Sequence, residues 1–476
     1  MRHEKSHTKI IATIGPATRS KQILEKMFRE GVDVCRINFS HDIHSEHLKT
    51  IININELNEE LGSNVAILAD LQGPKLRVGM MENDQVILED GQEFSFVTIP
   101  CTGTTEKAYM SYKKMPADVI PGERILVDDG KLIFEVLKTN GTDTVLTKVI
   151  AGGPLGNKKG VNLPNTKVTL PSLTEKDIED AKFALDHKVD WLALSFVRQK
   201  KDILDLRKLV DAHPNEAHII AKIEKPEALD EIDEIIDAAD AIMVARGDLG
   251  VEVEFHKVPL IQKNIIKRCI AKSKPVIVAT QMMESMITSQ TPTRAEANDV
   301  ANAVLDGADT VMLSGETSVG KYPVQTIINM QKIIDSTETE EYLYYKDHPP
   351  MVESATLLPE SICYSAVRLA EQVNAAAIIL LTNSGFTAVK ISSQRPKAPI
   401  FTFTMNEDLI ADLSLVWGVR SYFFGECDNV NEYVAYTEEF LVSQNLLKKG
   451  DLVVHVGSIP ILSKGKTNML KLTRVT

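Results

Sequence analysis

The chain has no excess of positive charge, no long apolar run and no paired-cysteine spacing, and each absence closes off a class of function. Lysine and arginine number 53 against 66 aspartates and glutamates, a formal net charge of −13. That removes the basic footprint a nucleic-acid binder needs. Anionic small substrates stay open, because a local cluster of Arg and Lys overrides the global sign. Apolar stretches such as Ala375 to Leu381 are too short to span a bilayer, so no membrane partner is expected. The start, Met1 to Lys9, holds no apolar core of a secretory signal. The five cysteines, Cys35, Cys101, Cys269, Cys363 and Cys427, are scattered and lack CxxC spacing. They predict reduced thiols in a cytoplasmic protein, not disulfides or a zinc site. A GxxxxGKS/T loop and a GxGxxG fingerprint are also missing. If the chain transfers phosphate, the cradle is built from dispersed residues.

What is present is a rhythm. At 476 residues the chain is long enough for two to four domains. Short β-branched runs recur at 10–14, 32–38, 65–70, 191–196, 218–223, 241–245, 276–280 and 310–314, separated by amphipathic stretches of helical period. One such helix is predicted over 20–30, stopped by Gly31, and another over 174–187, opened by a Thr174-x-x-Asp177 cap. Eight alternating units predict a closed (β/α)8 barrel of the TIM type. Between Asp70 and Trp191 the period changes to short alternating strands at 85–88, 93–98, 124–127 and 131–138, with Asp129-Gly130 and Asn140-Gly141 turns. This reads as a small β-barrel lid inserted in a βα loop. A polar segment ending in Pro349-Pro350 reads as a linker, and apolar runs at 375–382, 400–404, 421–424 and 452–456 predict a C-terminal open α/β domain. The expected division is barrel over 1–70 and 171–340, lid over 71–170, and α/β domain over 350–476.

In a parallel barrel, functional groups project from the carboxyl ends of the strands. Those ends carry Arg36 and Asn38, Asp70, Ser195, Lys222 and Glu224, Arg246 and Asp248, Thr280, and Ser314 and Glu316. Any one of them alone is more readily a solvated polar residue. A ring mixing cations and carboxylates on most strands is what an anionic substrate and a metal require. Lys222 and Glu224 stand at i and i+2 and share a strand face. Asp248 closes the next strand, and two hard oxygen ligands with open positions suit Mg²⁺. Gly247 and Gly250 let backbone N–H groups approach an anion. Arg36 is placed to grip phosphate or carboxylate oxygens, while His41 reads as a loop histidine or minor nucleotide contact.

The chain resembles the pyruvate kinase family along almost its full length, from Thr13-Ile-Gly-Pro-Ala17 to Thr467-Asn-Met-Leu470. The resemblance rests on Lys222-Ile-Glu224, the segment Met243 to Gly250, the segment Ala279 to Met286, the segment Pro292 to Asp309, and Leu313-Ser-Gly-Glu-Thr317. It implies Mg²⁺-dependent phosphoryl transfer from phosphoenolpyruvate to ADP, giving pyruvate and ATP. Glu224 and Asp248 would bind the protein-held Mg²⁺, with a second ion carried by the nucleotide. Lys222 would meet the migrating phosphoryl group and enolate oxygen. Gly247, Asp248 and Thr280 would hold the substrate carboxylate against Phe196, and Arg36 would clamp phosphate oxygens. Thr280, Ser314 and Glu316 would organise proton delivery to carbon, and Asn38, His41, Arg77 and Lys159 would meet the nucleotide. The loop Thr382, Asn383, Ser384, Gly385, Phe386, Thr387 would receive a phosphorylated effector, and a homotetramer is implied. Many members read Asp-Thr-Lys-Gly-Pro-Glu-Ile-Arg-Thr where this chain reads Asp70-Leu-Gln-Gly-Pro-Lys-Leu-Arg-Val78. The second form resembles the subgroup that does not require K⁺, with Lys75 supplying the cation's charge.

Two other readings fit part of the pattern. A Mg²⁺-dependent barrel aldolase or lyase acting on pyruvate enolate accounts for Glu224, Asp248 and Arg36, but not for the insertion bearing Arg77 and Lys159. An inactive phosphometabolite sensor accounts only for the C-terminal loop.

Overall fold

The computed structural model describes residues 6–164, 166–425, 429–461 and 467–476. Strands Lys9–Ile14, Val34–Asn38, Ala66–Asp70, Trp191–Leu194, His218–Ile223, Ala241–Ala245, Val276–Ala279 and Thr310–Leu313 pair in parallel, each with its sequence neighbour. The last closes on the first, with Lys9 opposite Thr310 and Ala12 opposite Leu313, so the eightfold barrel is as expected. Alternation along each strand sorts the side chains. Ile11, Val34, Leu68, Ala193, Ile220, Met243, Ile277 and Met312 form one buried cluster inside the barrel. Their neighbours Ile10, Cys35, Ile67, Leu192, Ile219, Ile242, Val278 and Val311 belong to a second, under the helices. The helix Glu175–Asp186 starts at the predicted cap, where Thr174 and Asp177 exchange hydrogen bonds in a capping box.

The insertion between the third and fourth barrel strands has its own core, including Phe94, Phe96 and Phe134. Its hydrogen bonds make a six-stranded sheet and a separate two-stranded ribbon (Gln85–Leu88 with Gly153–Gly156), not the small closed barrel expected. Register shifts at Ile133/Phe134 and Val136/Lys138 curl the long hairpin, and single bridges such as Arg77 to Gly160 take the place of a continuous closing ladder.

The C-terminal sheet has the order Val419–Phe423, Ile400–Thr404, Ala377–Leu381, Leu452–Gly457, Met469–Arg474. Its final strand is antiparallel and was not anticipated. The segment expected as a linker is packed instead. The helix Pro323–Thr337 runs into it, Leu343 and Tyr344 are buried, and Tyr344 meets His7 and Trp417 at the junction of barrel and C-terminal domain. Nearby, Arg395 of the C-terminal domain and Asp309 of the barrel form a buried ion pair at 3.0 Å.

Cys269 and Cys363 are buried and free, Cys101 is half-buried and free, and Cys35 is buried. Burial pushes the Cys363 thiol up to about 12 and raises that of Cys269 as well, so both are inert. Cys427 lies outside the described residues. Among the described residues no helix is long and apolar enough to cross a membrane.

Candidate active site

The site continues the inward-facing rows of the barrel by one step of two residues. Leu68 leads to Asp70, Val34 to Arg36, Ala193 to Ser195, Ile220 to Lys222, and Met312 to Ser314. Below, the row is apolar and packed; at the mouth it turns polar. There the groups engage one another. Arg36 Nε donates to Asp70 Oδ2 at 2.7 Å, and its Nη1 donates to Thr13 Oγ1 at 2.8 Å. Lys222 Nζ lies 3.1 Å from Asp70 Oδ1 and 2.9 Å from Glu224 Oε1, and donates to Ser195 Oγ at 2.8 Å. Asp70 thus holds both cations and is 1% exposed. Burial pushes its carboxyl up, but Lys222 and Arg36 outweigh that and hold it below the usual carboxylate range. Burial pulls the Lys222 ammonium down, yet Asp70 and Glu224 outweigh that and keep it firmly protonated.

Glu224, 1% exposed, accepts from the Phe196 N–H at 2.9 Å. Burial raises its pKa and the nearby Asp248 charge raises it further, against the pull of Lys222. Phe196 itself sits at φ 56°, a strained value for a bulky residue. Gly73 makes that possible, since a Cβ there would come within 2.7 Å of the Phe196 ring. Thr280, also at positive φ, accepts from the Gly247 N–H at 2.7 Å and donates to the Ala279 carbonyl at 2.6 Å. Its hydroxyl therefore fixes the turn that carries Asp248. Arg246 is drawn off to Asp299, 2.7 Å away, and to the Thr280 carbonyl. Glu316 accepts from the backbone N–H groups of Ser314 and Met283, so here its carboxylate braces a loop. The Ser314 hydroxyl oxygen is buried and without a hydrogen-bond partner.

The remaining predicted residues are less tightly grouped. Lys75, Asp248 and Phe196 line one small cavity between insertion and barrel. Lys159 is paired within the insertion to Asp128 at 3.0 Å, and Arg77 donates to the Lys158 carbonyl. Asn38 accepts from the Ser40 N–H, and His41 is exposed. Partial burial, Lys75 and Arg77 hold the His41 pKa below its ordinary value, so it is neutral near pH 7. In the C-terminal domain the loop from Thr382 turns at Gly385 (φ 75°) into the helix Phe386–Ser393. The Gly385 N–H donates to Thr382 Oγ1, and Thr387 Oγ1 stands 2.7 Å from Thr467 Oγ1; Asn383 is half-buried and Ser384 exposed.

Sequence reasoning gave no catalytic role to Asp70, Ser195 or Thr13, though these join Arg36 and Lys222 into one network. Their signal was parity: each lies two residues beyond an inward apolar residue. Asp299, which holds Arg246, carries no such mark.

Among the described residues no cluster of three or more His, Cys, Asp or Glu could hold a metal. The mouth offers two carboxylates, Glu224 and Asp248, beside a third already engaged. Mg²⁺, which keeps several waters and takes substrate oxygens, fits such a pair. A closed parallel barrel with this mouth defines an enzyme acting on anionic substrates with a divalent cation. Residues 5–327 match the family described as pyruvate kinase, barrel domain, and residues 360–473 match pyruvate kinase, alpha/beta domain. The pyruvate kinase of Geobacillus stearothermophilus is 44% identical over 474 residues, 98% of this chain and 80% of the relative. That of Corynebacterium glutamicum is 42% identical over 463 residues, covering 97% and 96%. The crystal structure of a pyruvate kinase from Cryptosporidium parvum superposes with a TM-score of 0.92 at 36% identity, over 99% of this chain and 97% of that one. The chain belongs to the pyruvate kinase family. Its function is phosphoryl transfer between phosphoenolpyruvate and ADP, giving pyruvate and ATP, and Mg²⁺ is the family's metal. Nothing in these similarities favours the aldolase, lyase or sensor readings.

Proposed function

We propose that Glu224 and Asp248 hold the Mg²⁺ ion and that Lys222 and Arg36 meet the phosphoryl group on its passage to ADP. One observation carries this reading: three carboxylates, Asp70, Glu224 and Asp248, face two cations, Arg36 and Lys222, in a largely buried mouth. A deficit of positive charge in low dielectric calls for a divalent cation. Bound there, the ion would supply Lewis-acid charge to the anionic substrate and to the enolate as it forms. Lys222, fixed by three partners, needs no reorganisation to serve the transition state. Arg36, oriented by Asp70 and Thr13, clamps phosphate oxygens. Gly247, Asp248 and Thr280 hold the substrate carboxylate with Phe196 alongside. The unpartnered Ser314 hydroxyl, whose own backbone N–H is held by Glu316, relays a proton through water to the enolpyruvate carbon, with Thr280 at the end of the neighbouring strand. Arg77, Lys159, Asn38 and His41 receive the nucleotide and its own Mg²⁺ as the insertion closes. The protein works in the cytoplasm as a homotetramer. Incubation with phosphoenolpyruvate, ADP and Mg²⁺ should yield pyruvate and ATP in equal amounts, and omission of ADP should stop both; pyruvate formed without ADP would contradict the reading.

The same cavity bears on monovalent ions. Lys75 lines it with Asp248 and Phe196, placing a tethered ammonium where other members carry a carboxylate. Full activity is therefore expected in tetramethylammonium buffer. Activation of the unmodified enzyme by K⁺ beyond about tenfold, roughly 1.4 kcal/mol, would contradict this. The Lys75→Glu enzyme should be poor without K⁺ and partly rescued by it.

A phosphorylated effector, such as a sugar phosphate or nucleoside monophosphate, is proposed at Thr382, Asn383, Ser384, Gly385 and Thr387, where the Ser384 and Gly385 backbone enters a helix. It should shift the phosphoenolpyruvate saturation curve with a coupling of about 1–3 kcal/mol. If no common phosphometabolite acts, or Thr387→Glu leaves activation intact, the loop is only a turn.

A further inference from the structure

Beside the mouth lies a second buried charge network that the reaction described above does not use. Lys225 follows Glu224 and is 8% exposed; Glu252 ends the helix Arg246–Glu252 and is 6% exposed. Lys225 Nζ lies 2.6 Å from Glu252 Oε1. The same oxygen accepts from Asn162 Nδ2 at 2.8 Å, and Asn162 belongs to the last strand of the insertion, Val161–Asn162. Lys225 also lies over the Phe196 ring, 5.9 Å from its centroid, and it shares a cavity with Asn162, Phe196 and Asp248.

The connectivity is what matters. Glu224 and Asp248 come from different barrel units, and no hydrogen bond or ion pair found among the described residues joins them directly. Glu252 joins their segments indirectly. It stands one helical turn beyond Asp248, at i+4, and grips the residue next to Glu224. A buried carboxylate and ammonium are tolerated only as a pair, so this link is rigid. The third member of the network, Asn162, belongs to the part that covers the mouth. The other Glu252 oxygen is buried with no hydrogen-bond partner, so the carboxylate depends on Lys225 and Asn162 alone for its orientation. Withdrawing Asn162 leaves the ammonium as the sole guide and frees the carboxylate to turn.

We propose that Glu252 is a positioning residue through which seating of the insertion sets the spacing of Glu224 and Asp248. Metal affinity then depends on whether the insertion is docked. This rests on the metal assignment proposed above and goes beyond it by making the insertion part of the metal site's support.

The test uses the full chain in two forms. Asn162→Ala removes the docking bond and leaves the buried pair intact. Lys225→Met with Glu252→Gln removes both charges together, so no lone charge is left to unfold the barrel. Mn²⁺ binding without substrates is read by electron paramagnetic resonance, and hydrogen exchange is followed at residues 158–163. Both forms should bind Mn²⁺ about tenfold more weakly or worse, in line with other groups that orient metal ligands. Exchange at 158–163 should quicken in both, and kcat should fall more than KM for phosphoenolpyruvate rises. Unchanged Mn²⁺ affinity in both forms, while Glu224→Gln loses it, overturns the coupling alone. Weakened binding in the double variant but not in Asn162→Ala overturns it too, because Glu252 would then act without the insertion. Wild-type Mn²⁺ affinity in Glu224→Gln overturns the metal assignment and this inference with it.

Discussion

Lys222→Met is expected to lower kcat by at least about 10³ while leaving the KM for phosphoenolpyruvate nearly unchanged. The ammonium is already neutralised in the resting site, held by Asp70 at 3.1 Å, Glu224 at 2.9 Å and the Ser195 hydroxyl at 2.8 Å. It therefore gives the substrate little new attraction on binding. As the phosphoryl group leaves, charge grows on the enolate oxygen, and a fixed cation acts on that charge alone. Such selective stabilisation is worth roughly 4 kcal/mol or more. Methionine keeps most of the side chain's length, and Asp70 keeps its bond to Arg36 at 2.7 Å, so the fold should survive. Steady-state kinetics decide the matter. A loss confined to KM would make Lys222 a ground-state binder.

Much of this arrangement is legible in the sequence because strands have a period of two. Lys222 and Glu224 share a face on spacing alone, and the ends of eight apolar runs locate the mouth before any contact is known. The illegible part is partnership. Asp70 reads as a polar residue ending an apolar run, yet it anchors both Arg36 and Lys222, because barrel closure brings the second, third and fifth strands to one point. Glu316 reads as a free acid until the Ser314 and Met283 N–H groups are found on it. Lys159 reads as a free cation until the hairpin turn brings Asp128 to it. The segment before Pro350 reads as a linker by its polarity, but Leu343 and Tyr344 join the barrel's core cluster, where Tyr344 meets Trp417 of the C-terminal domain. Local pattern fixes which way a side chain faces. What it meets there is decided by residues on other elements, many of them far along the chain.

Glu224→Gln is the second change from which a large effect is expected. Glutamine keeps an oxygen to accept the Phe196 N–H, now bonded at 2.9 Å, and removes the charge together with the ion pair to Lys222, now at 2.9 Å. The substitution relieves the like-charge pressure from Asp248 that helps raise the Glu224 pKa. Burial, which raises the Glu224 pKa most, no longer penalises a charge there, so the protein should stay folded while one of the two carboxylates proposed to hold the metal is gone. Loss of that ion's charge at the enolate should cost roughly 4 kcal/mol, a fall of about 10³ in kcat/KM. Activity alone cannot distinguish a lost metal from a misplaced substrate. Direct titration of Mn²⁺ into the unmodified protein and Glu224→Gln, without phosphoenolpyruvate or nucleotide, does so. The account predicts one site per chain in the first and binding weaker by at least about tenfold in the second; equal affinity in the two would contradict it.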